Sequence, residues 1–230
     1  MGVILLGGFL FFSVSIGGGI AWQVSRYFRN STAGLSLLCG GFLLGLLALD
    51  IIPSALKMYK PFGIILGILI GCLLFLVIHN LMHTLTIKTP SALLLMIALL
   101  IHTIPLSLTI GNLLENSTIG ITITASIILH HIPEGFALTT ALLSQGKKLW
   151  LLLSCFLTLS IFFGLFIWIG HYVNLTTKEQ GVLMGISIGL IAATSISEFV
   201  LHHIKVVPFK VFTMYILMGY LLSNLFHLLL

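Results

Sequence analysis

Apolar runs long enough to cross a hydrocarbon core of about 30 Å as helices alternate along the chain with short polar or turn-rich breaks. They lie near 3–25, 34–56, 62–80, 92–114, 119–142, 149–171, 181–204 and 209–229. The breaks are Arg26–Thr32, Lys57–Pro61, Leu81–Ser91, Glu115–Thr118, Leu143–Lys148, Tyr172–Gln180 and Lys205–Pro208. The pattern predicts an all-α polytopic membrane protein of eight transmembrane helices, with residues 1–230 forming a single transmembrane domain. Residues 1–20 carry no basic start and stay apolar past signal-peptide length, so they are expected to open the first span.

Composition agrees with the pattern. Of 230 residues, 59% are hydrophobic and 7% charged, against about 25% charged in soluble domains, and the mean hydropathy is +1.22. The net charge of +5 gives no nucleic-acid signal, because the basic residues stand singly or in pairs between apolar segments. Cys39, Cys72 and Cys155 lie in separate runs without CxxC pairing, and read as small packing residues. Loop charges set the expected orientation. With the N-terminus outside, the inner side carries Arg26, Arg29, Lys88, Lys147, Lys148, Lys205 and Lys210, and the outer side Lys57, Lys60 and Lys178. That bias favours both termini outside; the expected location is the cell (plasma) membrane.

The chain has five acidic residues. Glu115 and Glu179 fall in breaks and read as solvated. Asp50, Glu134 and Glu198 fall inside spans, where a carboxylate opposes insertion by roughly 2.5–3.5 kcal/mol and marks a functional hypothesis. Asp50-Ile51-Ile52-Pro53, His102-Thr103-Ile104-Pro105 and His130-His131-Ile132-Pro133 repeat the form (Asp/His)-x-Ile-Pro in the second, fourth and fifth spans. A proline inside a helix releases the carbonyl four residues earlier, here Leu49, Ile101 and Leu129. Each repeat thus pairs a metal-ligand side chain with a local opening of the helix.

The fourth and fifth spans are joined by a short break, so they are expected to be antiparallel neighbours with midpoints at one depth. His130 and Glu134 are spaced i,i+4, and His131 and Glu134 i,i+3, which puts each pair on one helix face. Glu134 can therefore share a cation with His130, His131 or both, with His102 opposite and Thr103 or water completing the set. Nitrogen and oxygen donors in this number suit Zn²⁺, with Fe²⁺ and Mn²⁺ as alternates. Gly135 permits close helix approach after the site. In the seventh span Glu198 and His202 are i,i+4 and form a candidate exit; Asp50 is a candidate entrance. His79 and His83 are placed in the inner loop between the third and fourth spans, read as ordinary loop residues in preference to a catch for released metal, and His171 and His227 stand alone.

On these residues the chain resembles the ZIP family of zinc and iron transporters. His130-His131-Ile132-Pro133-Glu134-Gly135 looks like that family's helix-five motif, His102-Thr103-Ile104-Pro105 like its helix-four motif, and Ser197-Glu198 like the acidic position of helix seven. Asp50 stands where the family often has His or Asp before a proline. The resemblance spans the chain. It implies eight spans with both termini outside, uptake of a divalent metal by alternating access, and a mobile block that includes helices four and five. It also implies frequent dimerisation, a candidate homodimer here. Leu106-Ser107 replaces the Glu-Gly that usually follows the helix-four proline, and Leu159–Phe166 holds no acid in helix six. A single-metal site is therefore expected, centred on His102, His130 and Glu134 with His131 auxiliary. Imidazoles ligate only when neutral, so uptake is expected to weaken as pH falls. A non-transporting metal sensor is the main alternative. An intramembrane zinc protease would need His-Glu-x-x-His, which is absent, so no enzyme activity is expected.

Overall fold

In lipid a backbone N–H has no water to bond, so a spanning segment must satisfy its hydrogen bonds internally, and apolar runs fold as helices. The computed structural model describes residues 3–27, 32–84, 91–113, 117–146, 148–173, 175–204 and 207–229. These are helical rods joined by short connections: α1 (Val3–Tyr27), α2 (Thr32–Leu46, continued through a π-helical turn Leu47–Ile51 into Ile52–Met58), α3 (Pro61–Thr84), α4 (Ser91–Leu113), α5 (Ser117–Ser144), α6 (Leu149–Gly170), α7 (Thr177–Thr194, continued through a π-helical turn Ser195–Val200 and a 3₁₀ turn Leu201–His203) and α8 (Phe209–Leu229).

Six of them are long and apolar enough to cross a membrane among the described residues: α1, α2, α3, α6, α7 and α8. In α4 the described apolar stretch is the shorter Ala92–Leu108. The outward faces agree with a lipid surround: Phe62, Ile65, Leu69, Leu73 and Leu76 on α3, and Trp150, Leu157, Ile161, Leu165 and Trp168 on α6, are all exposed. Exposed apolar surface on this scale marks a membrane protein rather than a soluble monomer.

The boundaries follow local chemistry. α7 starts at Thr177, four residues before the apolar run, because Thr176 and Glu179 close a capping box: Thr176 N–H donates to Glu179 Oε2 at 2.7 Å, and Glu179 N–H to Thr176 Oγ1 at 3.4 Å. Glu179 is thus a capping residue as well as a solvated one. The wide turn Leu47–Ile51 lies just ahead of Pro53, where it relieves the clash of the ring with the preceding turn.

Glycines set which helices touch. On α3, a Cβ at Gly67 or Gly71 would run into the carbonyl oxygens of Val182 or Ile186; on α7, one at Gly185 or Gly189 would meet those of Ile64 or Ile68. Ascending numbers meet ascending numbers, so α3 and α7 run parallel, backbone to backbone. Gly17 and Gly135 likewise bring the backbones of α1 and α5 together, and Gly41 and Gly219 those of α2 and α8. Two groups result: α1, α4, α5 and α6 pack among themselves, as do α2, α3, α7 and α8. The groups meet chiefly where α4 lies on α7 and α2 on α5. Phe42 of α2, Phe136 of α5 and Phe226 of α8 stack across the second junction, with centroids 4.6 to 5.8 Å apart.

Candidate metal centre

Glu134 lies at the junction of the two groups. Gly17 and Gly135 let α1 and α5 touch through their backbones at the turn that carries it, leaving its side chain to face α4. The carboxylate is 1% exposed, as are His102 and His131. Glu134 Oε1 is 3.2 Å from His102 Nε2 on α4, and Oε2 is 2.5 Å from His131 Nδ1 one turn back on α5. The carboxylate therefore spans two imidazoles from different helices, one on each oxygen. His102 reaches further: its Nδ1 is 3.1 Å from Ser187 Oγ on α7, in the other group.

The remaining expected residues fall as follows. His130 belongs to α5, but its side chain lies outside the described residues, so the imidazole seen beside Glu134 on its own helix is that of His131. Thr103 is buried, and its hydroxyl donates to Leu99 O at 2.7 Å, which spends its proton on the helix rather than on the carboxylate. Ser107 likewise donates to Thr103 O at 2.7 Å. Asp50 is half-buried in the π-helical turn of α2, with Ser54 Oγ 3.5 Å from its Oδ1.

Glu198 sits in the π-helical turn of α7. That turn shifts the register on which the i,i+4 pairing with His202 was expected. Glu198 Oε1 instead stands 3.2 Å from His79 Nε2 on α3, while His202 is exposed and lies against the His203 ring. His79 lies within α3 rather than in the following loop; the His83 side chain lies outside the described residues.

Three partners escaped the sequence reading. Ser187 lies in an apolar stretch of α7 and His79 near the polar end of α3, and only the pairing of α4 with α7 and of α3 with α7 makes them partners of His102 and Glu198. Phe163 of α6 is fully buried with its ring edge-on to His131, centroids 5.8 Å apart. It lies within Leu159–Phe166, the segment without an acid. Among the described residues no group of three or more His, Cys, Asp or Glu side chains is already arranged around one ion-sized point; the two imidazoles engage opposite edges of one carboxylate. The chain matches no family model and no curated protein sequence.

Proposed function

We propose that the chain is an eight-span transporter of the ZIP type, carrying a divalent cation, zinc first and Fe²⁺ or Mn²⁺ as alternates, from outside into the cytoplasm. One observation carries the reading: the carboxylate of Glu134, buried among lipid-embedded helices, bridges imidazoles of α4 and α5. A lone anion there needs a cation. The 3.2 Å between His102 Nε2 and Glu134 Oε1 suits one, since two donors each about 2.0–2.1 Å from a tetrahedral Zn²⁺ stand roughly 3.3 Å apart. His102 and Glu134 are the ligands argued from geometry; His131, hydrogen-bonded to the other carboxylate oxygen, is auxiliary, His130 is the ligand argued from the motif, and Thr103 a weaker candidate. The loop charges favour both termini outside; the resemblance implies inward transport, and a plasma membrane is the proposed setting. The grouping of α1, α4, α5 and α6 supports a mobile block carrying the site past the rest.

The test is ⁶⁵Zn uptake into proteoliposomes by wild type, His102→Ala, Glu134→Ala and, as a control, His171→Ala. Uptake lost in the first two variants and kept in the control supports the reading; uptake unchanged in all three sinks it. A second reading, a metal-binding protein that does not transport, is favoured by the phenyl ring of Phe163 beside His131 and by the single carboxylate. Stoichiometric zinc binding without flux would select it.

A further inference from the structure

A neutral imidazole has one N–H and one lone pair, and only the lone-pair nitrogen can ligate. Which nitrogen that is depends on the partner of the other one. For His102 the other nitrogen is Nδ1, 3.1 Å from Ser187 Oγ. The Ser187 hydroxyl has a single proton, and its Oγ lies 2.7 Å from Met184 O on its own helix, to which it donates. When the hydroxyl donates to that carbonyl, the oxygen turned to His102 is an acceptor, so Nδ1 must carry the hydrogen. The lone pair then falls on Nε2, the atom facing Glu134 Oε1 at 3.2 Å.

We propose that Ser187 is the positioning residue of the site: from α7 it holds His102 in the Nδ1–H tautomer, so that Nε2 and Glu134 Oε1 together face a divalent cation. This rests on the function proposed above. A hydroxyl rotates, so serine also serves the cation-free state: it turns its proton onto Nδ1, and the Nε2–H of His102 donates to Glu134. Serine thus supports both tautomers in turn: the neutral imidazole keeps one hydrogen throughout, on Nε2 without the cation and on Nδ1 when the cation takes the Nε2 lone pair. Alanine supports neither. Ser187 is fully buried, so water does not readily take its place. Because α7 belongs to the other helix group, this hold on His102 exists only while α4 rests against α7.

The experiment uses the full chain in lipid nanodiscs and measures equilibrium ⁶⁵Zn binding. Loss of a metal-orienting partner typically costs about 10–100-fold in affinity, the drop expected for Ser187→Ala. Ser187→Thr keeps the hydroxyl and is expected to restore wild-type binding. ¹⁵N-histidine spectra of the zinc-loaded wild type, with the His102 signal identified by its loss in His102→Ala, should report Nδ1–H. Wild-type affinity in Ser187→Ala, with binding lost in His102→Ala, overturns the role of Ser187 alone. So does an Nε2–H signal in the loaded protein, or failure of threonine to rescue. Wild-type binding in His102→Ala and Glu134→Ala overturns the metal site itself, and this role with it.

Discussion

His79 Nε2 lies 3.2 Å from Glu198 Oε1, tying the C-terminal part of α3 to the π-helical turn of α7. Both side chains are partly open, at 28% and 19% exposure, and a pair in that setting contributes about 0–1 kcal/mol to stability. The α3–α7 contact is already held by the glycine rows, so the fold does not depend on the pair. In the orientation favoured by the loop charges the pair lies towards the cytoplasmic end, on the way out of the site. Glu198→Gln and His79→Gln should therefore leave the melting temperature within about 4 °C of wild type while lowering ⁶⁵Zn uptake by roughly tenfold, the lower end of what an orienting partner contributes to a metal site. Unchanged uptake would reduce the pair to an anchor of the helix end.

At Glu134 two substitutions separate chemistry from packing. Glutamine keeps the shape and one carbonyl oxygen but removes the charge that offsets a dication; alanine also leaves His102 and His131 facing a void. Zinc binding should fall by about 100-fold or more in both, at or beyond the upper cost of losing a group that only orients ligands. Only Glu134→Ala should lose stability as well, by about 1–3 kcal/mol for stranded polar groups, read as a lowered melting temperature in detergent. Equal melting of the two variants would mean that the imidazoles find other partners.

The glycine rows of α3 and α7 can be tested by adding one methyl group. A Cβ at Gly185 would overlap the carbonyl oxygen of Ile64, a backbone atom that cannot swing aside, whereas one at Gly19 meets nothing within 4 Å. Gly185→Ala should cost about 1–3 kcal/mol through forced separation of the helices, or roughly 2–12 °C in melting temperature. Gly19→Ala should cost nothing. If the two variants melt alike, the close approach of α3 and α7 is wrong.

Much of this architecture is legible in the sequence because the signals are local. Apolar runs give the helices, and each named break falls at or near a helix end. The i,i+3 spacing of His131 and Glu134 puts them on one face before any tertiary structure is known, although the same reasoning offers His130 equally. What failed to read through was non-local or depended on register. Nothing in the apolar context of Ser187 points to His102, 85 residues away. The expected pairing of Glu198 with His202 assumed a regular α-helix, and the π-helical turn at Ser195–Val200 removes that regularity. His79 reads as part of the inner loop until α3 is laid beside α7.

The phenyl ring of Phe163 occupies the space beside His131, within Leu159–Phe166, the segment of α6 that holds no acid. Phe163→Asp exchanges a fully buried ring for a carboxylate in an apolar surround. Without a cation the variant should be markedly less stable, since loss of a buried Phe side chain alone costs about 3–5 kcal/mol and the new charge adds desolvation. A cation bound between the introduced carboxylate and His131 would neutralise that charge, so zinc should restore part of the loss. A ligand bound only by the folded state at about 100 times its Kd adds about 2.7 kcal/mol. Phe163→Leu removes the ring without adding charge and is the control for packing. The expected outcome is a zinc-dependent rise in melting temperature that is larger in Phe163→Asp than in wild type or Phe163→Leu. If zinc stabilises all three equally, the space beside His131 is not open to a second cation ligand, and the ring of Phe163 serves packing alone.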